Sequence, residues 1–370
     1  MGLLDYYRQF EGVSDVEVSA ELQARAQERR HRALARIDPL DLSRTTWHEF
    51  PHPDVVAAIT YAARRGINRH SDPHAGELRR EIGRRHGLEP ERVAVGNGAA
   101  QLMASAAHAL LDPGEELVTP WPSYPLYPLM TRAAGGRAVP VPGDGAEGIL
   151  AAMGERSRLV ALCNPNDPTG AYLETDRLRD LLGALPDQVT VLLDEALIDY
   201  VDAEPPGASL DLLDDFSRLL VFRTFSKAYG LAGMRCGYVL GGPGSEDLLE
   251  RIAPPLGVSE LVQAGALDAL HKCGPQVAAR SATVAAERRR VQDALTELPI
   301  DAPPSQANFV WLRAAGLSSI ELSGRLGRAR VIVWPGGEVG DSDHVRAAIQ
   351  SPGATDRLLH ALRQAVGVTA

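Results

Sequence analysis

Lys227 sits between Ser226 and Ala228 in the run TFSKAYGLAGMRCGY, Thr224 to Tyr238. Thr224 and Ser226 offer hydroxyl donors, and Arg235 offers a planar fork of N–H groups that matches a phosphate. A lysine amine becomes a nucleophile toward carbonyls when burial or nearby positive charge depresses its pKa. The plainer alternative is a surface lysine that snorkels to water. Its small and apolar company, FSKAYGLAG, weighs against that alternative.

Three other stretches place polar or small residues directly after apolar runs. In VGNGAAQLM, Gly96 and Gly98 follow RVAV, and an apolar helix opens near Ala99. Backbone N–H groups of Gly98, Ala99 and Ala100 can approach an anion there, aided by the helix N-terminus. A plain strand–turn–helix would need the same glycines. PWPSYPLYP, residues 120–128, is a stiff loop in which a fixed aromatic either stacks on a flat ring or, as the segment alone favours, simply packs. CNPNDPTG, residues 163–170, precedes VTVLLDEA, where Asp194 ends an apolar run. A carboxylate at the end of a buried strand is costly unless paired, although aspartate also starts ordinary loops.

Taken together and in this order, the four stretches describe a site for a phosphorylated, flat, pyridine-like aldehyde. Pyridoxal 5'-phosphate requires a Schiff-base lysine, a carboxylate for its ring nitrogen and a phosphate cradle. The sequence offers Lys227, Asp194 and the set Gly98, Ala99, Ala100, Thr224, Ser226 and Arg235.

These residues need a frame that brings strand ends together. RVAV, ELVT, RAVPV, RLVALC, VTVLLD, LLVFR and CGYVL are short apolar runs, several of them with little polar alternation, as strands buried on both faces should be. Helical stretches such as AAQLMASAAHALLD and TDRLRDLLGAL lie between some of them. The pattern predicts an α/β fold with a mostly parallel sheet, whose ligands bind beyond the C-terminal strand ends. After Gly241 the texture becomes that of a smaller α+β module. The expected division is an N-terminal arm over residues 1–50, a large domain over 51–254 and a small domain over 255–370. Residues 15–36 read as a charged helix, and the arm is expected to pack on the small domain or on a partner subunit.

The 370 residues are 45% hydrophobic, enough for a substantial core, and carry a net charge of −10. That sign argues against nucleic acid as the main partner. No apolar stretch approaches the ~20 residues that span a bilayer, and the N-terminus lacks the basic and apolar regions of a signal peptide. Cys163, Cys236 and Cys273 are scattered, which fits a reducing cytoplasm and neither a disulfide framework nor a zinc cluster. His48, His52, His70 and His74 crowd one segment, but no HExxH or cysteine pattern accompanies them, so no metal site is expected. The arginine-rich AERRRVQDAL and AQERRHRALAR interleave acids and leucines and read as solvated helix faces.

At RTFSKAYGLAGMRCGY, CNPNDPTG and VGNGAAQLM, and again at PSQANFVWLR and ATDRLLHALRQAV, the chain resembles the fold-type I pyridoxal-phosphate aminotransferases, most of all the histidinol-phosphate aminotransferase group. The resemblance runs from about His52 to near the C-terminus. It implies an aspartate-aminotransferase-like large domain, a homodimer, and transfer of an amino group from a small-molecule donor to a 2-oxo acid. Histidinol phosphate and aromatic amino acids are the donors it favours. Residue by residue, it implies that Lys227 binds the cofactor and shuttles the substrate's proton, and that Asp194 keeps the pyridine nitrogen protonated. Tyr124 would stack on the ring, while Ala99, Ala100, Thr224, Ser226 and Arg235 would hold the phosphate. Arg346 would hold an acidic group of the substrate, with Asn308 nearby.

The chain also departs from that family. Asp167 replaces the asparagine before PTG, and Leu197 replaces the tyrosine of DEAY. Both positions face the cofactor's phenolic oxygen in the family, where a carboxylate would repel a phenolate unless one is protonated. His70 stands in place of a tyrosine that reaches the neighbouring subunit's phosphate, SRTTWHEFPHP replaces NENPYGP, and Trp334 stands where arginine is common. A related decarboxylase or oxidase, or a cofactor-binding paralogue without turnover, are the competing expectations.

Overall fold

The computed structural model describes residues 38–143 and 145–367, together with residues 20 and 22–25. The described part of the expected helix over residues 15–36 is helical, and the rest of it lies outside the described residues.

The larger core is built on a seven-stranded sheet of β2 (Val93–Gly96), β3 (Glu116–Trp121), β4 (Arg137–Pro142), β5 (Ser157–Cys163), β6 (Thr190–Asp194), β7 (Leu219–Thr224) and β8 (Gly237–Gly241). Their spatial order is β2-β8-β7-β6-β5-β3-β4. β3 to β7 run parallel, and β8 pairs antiparallel with both β2 and β7. Every residue of β2, β6 and β8 is buried. This is why those runs show no polar alternation: helices cover both faces of the sheet. The aspartate-aminotransferase-like fold and its mostly parallel sheet are as expected.

Three observations show how local sequence sets the frame. Pro53 opens the helix Pro53–Gly66 where a missing N–H costs nothing, and His52 accepts from the Asp54 N–H at 3.2 Å. The helix Glu260–Lys272 starts on Ser259, whose side chain accepts from Val262 N–H, and it packs against Pro53–Gly66 within the larger core. Gly237 begins β8 with its Cα against β2's exit. A Cβ there would lie 2.3 Å from Ala99 N, so only glycine allows this approach.

The second core gathers β10 (Phe309–Ala314) and β13 (His344–Ala348), flanked by β9 (Ile300–Asp301) and β12 (Trp334–Pro335), all antiparallel. Helices Gly274–Leu295, Ser319–Arg328 and Pro352–Ala365 pack around them. The apolar run RVIVW, which reads as one strand, is split. Val331–Ile332 (β11) pairs with β1 (Leu40–Asp41), whereas Trp334–Pro335 pairs with β13. A period of two reports alternation but does not name the partner sheet, and the chain changes sheets at Val333.

From β1 the chain leaves the small core, crosses the C-terminal ends of the large sheet's strands as residues 43–50, and enters the helix Pro53–Gly66. Among the described residues, no helix is long and apolar enough to cross a membrane.

Candidate active site

The C-terminal ends of β2, β5, β6 and β7 surround a cavity of about 180 Å³. Its wall includes Ala99, Ala100, Tyr124, Asp167, Asp194, Thr224, Ser226, Lys227 and Arg235, nine residues that sequence reading singled out.

Asp194 is the last residue of β6 and is buried. Its Oδ2 accepts from the Tyr127 hydroxyl at 3.0 Å and its Oδ1 from the Ala196 N–H at 3.1 Å. Burial outweighs these bonds and raises its pKa to about 6. Among the described residues no cation forms an ion pair with it, and a protonated ring nitrogen is the kind of partner that would restore its charge. The sign of the pH effect follows. The native carboxyl holds its proton above the unfolded pKa, so the native state binds more protons between about pH 4 and 6 and loses stability as pH rises through that window. Expected for the cofactor-free protein, relative to Asp194→Asn, is a loss of up to about 3 kcal/mol between pH 4 and 7. Denaturant unfolding of both proteins at several pH values measures it, and parallel pH curves would refute the assignment of this burial cost to Asp194.

Lys227 follows β7 by three residues. By surface area it is only partly buried because it lines the cavity, but the protein around its ammonium is as dense as an interior, and the local density governs its charge. Its pKa is lowered, by desolvation first and also by Arg346, while Asp167 and Asp194 oppose the shift. The Nζ group donates to Thr45 Oγ1. A depressed pKa is what a carbonyl-seeking lysine requires.

The anion cradle forms where β2 ends. Gly98 has φ +91°, and a Cβ there would lie 2.6 Å from an Arg235 guanidinium nitrogen, so a side chain would fill the space beside Arg235. No side chain caps the N-terminus of the helix Ala99–Leu110, which leaves its first N–H groups facing the cavity. Thr224 Oγ1 lies 3.0 Å from Ser226 Oγ and accepts from Ser226 N–H at 3.1 Å. Arg235 takes a left-handed backbone, φ 57°, and donates to Ala232 O at 3.0 Å. A non-glycine residue in that region carries strain, which its surroundings here hold in place. Hydroxyls, an arginine fork, open helix N–H groups and a desolvated lysine make a donor set that fits a phosphorylated pyridine aldehyde.

Tyr124 stands edge-on to Tyr127, ring centroids 5.8 Å apart, at the cavity wall. Its loop is tied to the CNPNDPTG turn: Ser123 Oγ donates to Asn166 Oδ1 at 2.7 Å, and Asn166 Nδ2 donates to Pro122 O at 3.0 Å. Asp167 forms an ion pair with Arg346 on β13. Asn308 donates to Thr45 O at 2.9 Å, and its buried Oδ1 has no partner among the described residues. Leu197 is buried and lines the cavity where the family has a tyrosine.

His70 is not brought to this cavity within the chain. It is exposed and lines a separate surface hollow with Tyr61, Arg65 and Glu77. Several residues at the site were not singled out from sequence, among them Tyr127, Cys163 and Thr45. Tyr127 and Cys163 sat inside recognised motifs, and the pairing of Tyr127 with Asp194 could have been suggested by a second tyrosine three residues after Tyr124. Thr45 carried no local signal, since its partners are Lys227 and Asn308.

One buried ion pair braces the site without lining it. Glu195 follows Asp194, and Arg223 precedes Thr224. The Arg223 Nε and one terminal nitrogen donate to Glu195 Oε2 at 2.9 and 2.7 Å. The pair ties the exits of β6 and β7, hence Asp194 and Thr224, to one another.

A lysine, a buried carboxylate and an open helix N-terminus at the strand ends of this sheet are the arrangement of pyridoxal-phosphate enzymes with the aspartate-aminotransferase fold. The family model described as aminotransferase class I and II matches residues 38–364, and the chain belongs to that family: it is a pyridoxal-phosphate-dependent aminotransferase. Among its relatives is an aromatic amino acid aminotransferase of Corynebacterium efficiens, 37% identical over 88% of this chain and 92% of that protein. Another of that name, from Corynebacterium jeikeium, is 39% identical over 85% of this chain and 86% of that protein. A crystal structure of histidinol-phosphate aminotransferase from Sinorhizobium meliloti, in complex with pyridoxal-5'-phosphate, superposes with a TM-score of 0.78 at 29% identity, covering 93% of this chain and 95% of that one.

Proposed function

We propose that this aminotransferase takes its amino group from a donor with an aromatic or imidazole side group, an L-aromatic amino acid or histidinol phosphate, and passes it to a 2-oxo acid such as 2-oxoglutarate. The observation that carries this reading is the meeting of Lys227, Asp194 and the Gly98–Arg235 cradle at one cavity. Relatives named for aromatic amino acids and a structural neighbour named for histidinol phosphate support the choice of donor.

In this reading Ala99, Ala100, Thr224, Ser226 and Arg235 hold the phosphate, with Gly98 keeping their space open. Asp194 holds the proton of the ring nitrogen, and Tyr127 fixes the carboxylate in place. When bound, the cofactor supplies an electron sink for the bonds at the donor's amine carbon. Lys227 would hold the cofactor through its amine, and that amine would carry the proton from the donor's α-carbon. Thr45 orients that amine. Tyr124 covers one ring face. Arg346 receives the substrate's acidic group, Asn308 borders it, and Asp167 lies toward the phenolic oxygen. The working unit is a homodimer, and the exposure of His70 is what a residue serving a neighbouring copy's phosphate requires. Histidine biosynthesis is one setting for such an enzyme, and aromatic amino acid synthesis is the other.

The test is the visible spectrum of the loaded protein during addition of single donors: histidinol phosphate, phenylalanine, then tyrosine. Bleaching by one of them, reversed by 2-oxoglutarate, is the expected result. Release of carbon dioxide or peroxide in place of reversible bleaching would overturn it in favour of decarboxylation or oxidation.

A further inference from the structure

Both terminal nitrogens of Arg346 are engaged before any substrate arrives, while its buried Nε has no hydrogen-bond partner among the described residues. One terminal nitrogen meets the Asp167 carboxylate, and the other donates to Ser43 O at 3.0 Å. Its plane lies 4.6 Å from the Trp334 ring centroid, with Phe309 at 5.5 Å. The side chains of Arg346 and Asp167 are 12% and 10% exposed, so water screens the pair weakly. The turn that carries Asp167 is fixed on its N-terminal side, where Asn166 Nδ2 reaches Thr169 Oγ1 at 2.9 Å and Pro122 O at 3.0 Å. Asp167 thus reaches Arg346 from a turn that its neighbour already anchors.

A guanidinium binds a carboxylate best through two parallel N–H bonds. Here one of the two terminal nitrogens is taken by a carboxylate of the protein itself and the other by a carbonyl. A second carboxylate brought to the same fork meets like charge at short range in a weakly screened site.

We infer that Asp167 is an internal competitor for the substrate's carboxylate and sets how strongly this enzyme favours ligands that carry one. Binding of an amino acid or a 2-oxo acid requires Arg346 to exchange Asp167 for the incoming group. A ligand with a neutral group at that position has no exchange to make. The apparent affinity for carboxylate ligands is therefore reduced by the fraction of sites in which Arg346 is held by Asp167. Asparagine at this position keeps the shape and removes the competing charge. The inference rests on the proposed function in one respect, the placing of the substrate's acidic group at Arg346.

The experiment uses the loaded enzyme and two ligands that differ in one group, 3-phenylpropanoate and 3-phenylpropan-1-ol, with binding followed by calorimetry and without turnover. Asp167→Asn is expected to tighten 3-phenylpropanoate on the order of tenfold while the alcohol shifts less than about twofold. The donor half-reaction gives a second reading. With phenylalanine, Asp167→Asn should lower the concentration giving half-maximal rate more than it changes the maximal rate, and with 2-phenylethylamine it should not. Asp167→Ser, which removes the charge with a different shape, should act in the same direction and guards against a fold-specific failure of the asparagine variant. An equal shift for both ligands would overturn the inference, since Asp167 would then act through the cofactor. Weaker binding of 3-phenylpropanoate in both variants would also overturn it. A loaded wild-type protein that lacks a lysine-linked visible band would remove the aminotransferase reading and this inference with it, whereas a normal band with no ligand discrimination removes the inference alone.

Discussion

Lys227→Ala is expected to lower the donor half-reaction by about 10³-fold or more, the scale of losing a positioned proton carrier, with loss of the covalent attachment in addition. Lys227 is the one amine among the residues lining the cavity, and the Asp194 carboxylate shares that cavity with it. Desolvation already lowers its pKa, so at neutral pH a larger share of the amine is free to attack than in a solvated lysine. Thr45 Oγ1 accepts from the Nζ group, which fixes where the amine points. The variant should keep its fold, because alanine removes a group whose burial is itself unfavourable. Single-turnover absorption measures the effect: the lysine-linked visible band should be missing, and added phenylalanine or histidinol phosphate should produce no matched conversion. Half-reaction rates within tenfold of wild type would refute the role of Lys227.

Arg223→Met is expected to destabilise the protein by about 3–5 kcal/mol, the cost of leaving one member of a buried ion pair uncompensated. Glu195 has no side-chain exposure and Arg223 has 8%, so water cannot take over the missing charge. Glu195 also accepts from Ser209, and Arg223 donates to the Pro206 carbonyl, so the loss reaches the loop after β6. The double variant Glu195→Gln with Arg223→Met should recover much of the stability, since neither charge is then stranded. Denaturant midpoints of the single and double variants give the coupling. A single variant within about 1 kcal/mol of wild type would show that the pair does not brace the two strands.

The sequence disclosed those parts of the site that follow strands. Asp194, Thr224, Ser226 and Lys227 were legible because an apolar run that ends in polar residues marks a strand exit, and strand exits of such sheets converge. Gly98 and Arg235 were legible through their companions: a glycine before an apolar helix, and an arginine after a glycine-rich run. What stayed hidden depends on long-range closure. Lys227 meets Thr45 across 182 residues and Arg346 meets Asp167 across 179, and no local pattern encodes either meeting. The Asp167 substitution was visible as a departure from the family, and sequence reading set its carboxylate against a phenolate. The fold adds the cation: a guanidinium carried in from the small core. The division of RVIVW between two sheets was equally hidden, because alternation reports burial and leaves the hydrogen-bond partner open.

The crossing segment over residues 43–50 divides the proposed site into two parts that different elements hold. In the proposed reading, phosphate retention is built into strand exits and the helix Ala99–Leu110, whose geometry the whole sheet enforces. In the same reading, donor choice borders on a short connector that contributes Thr45, Thr46 and the Ser43 carbonyl. Mutations in the connector that spare Thr45 should therefore sample new amines while the protein keeps its cofactor, so a library confined to the other seven positions is the economical route to altered donor range.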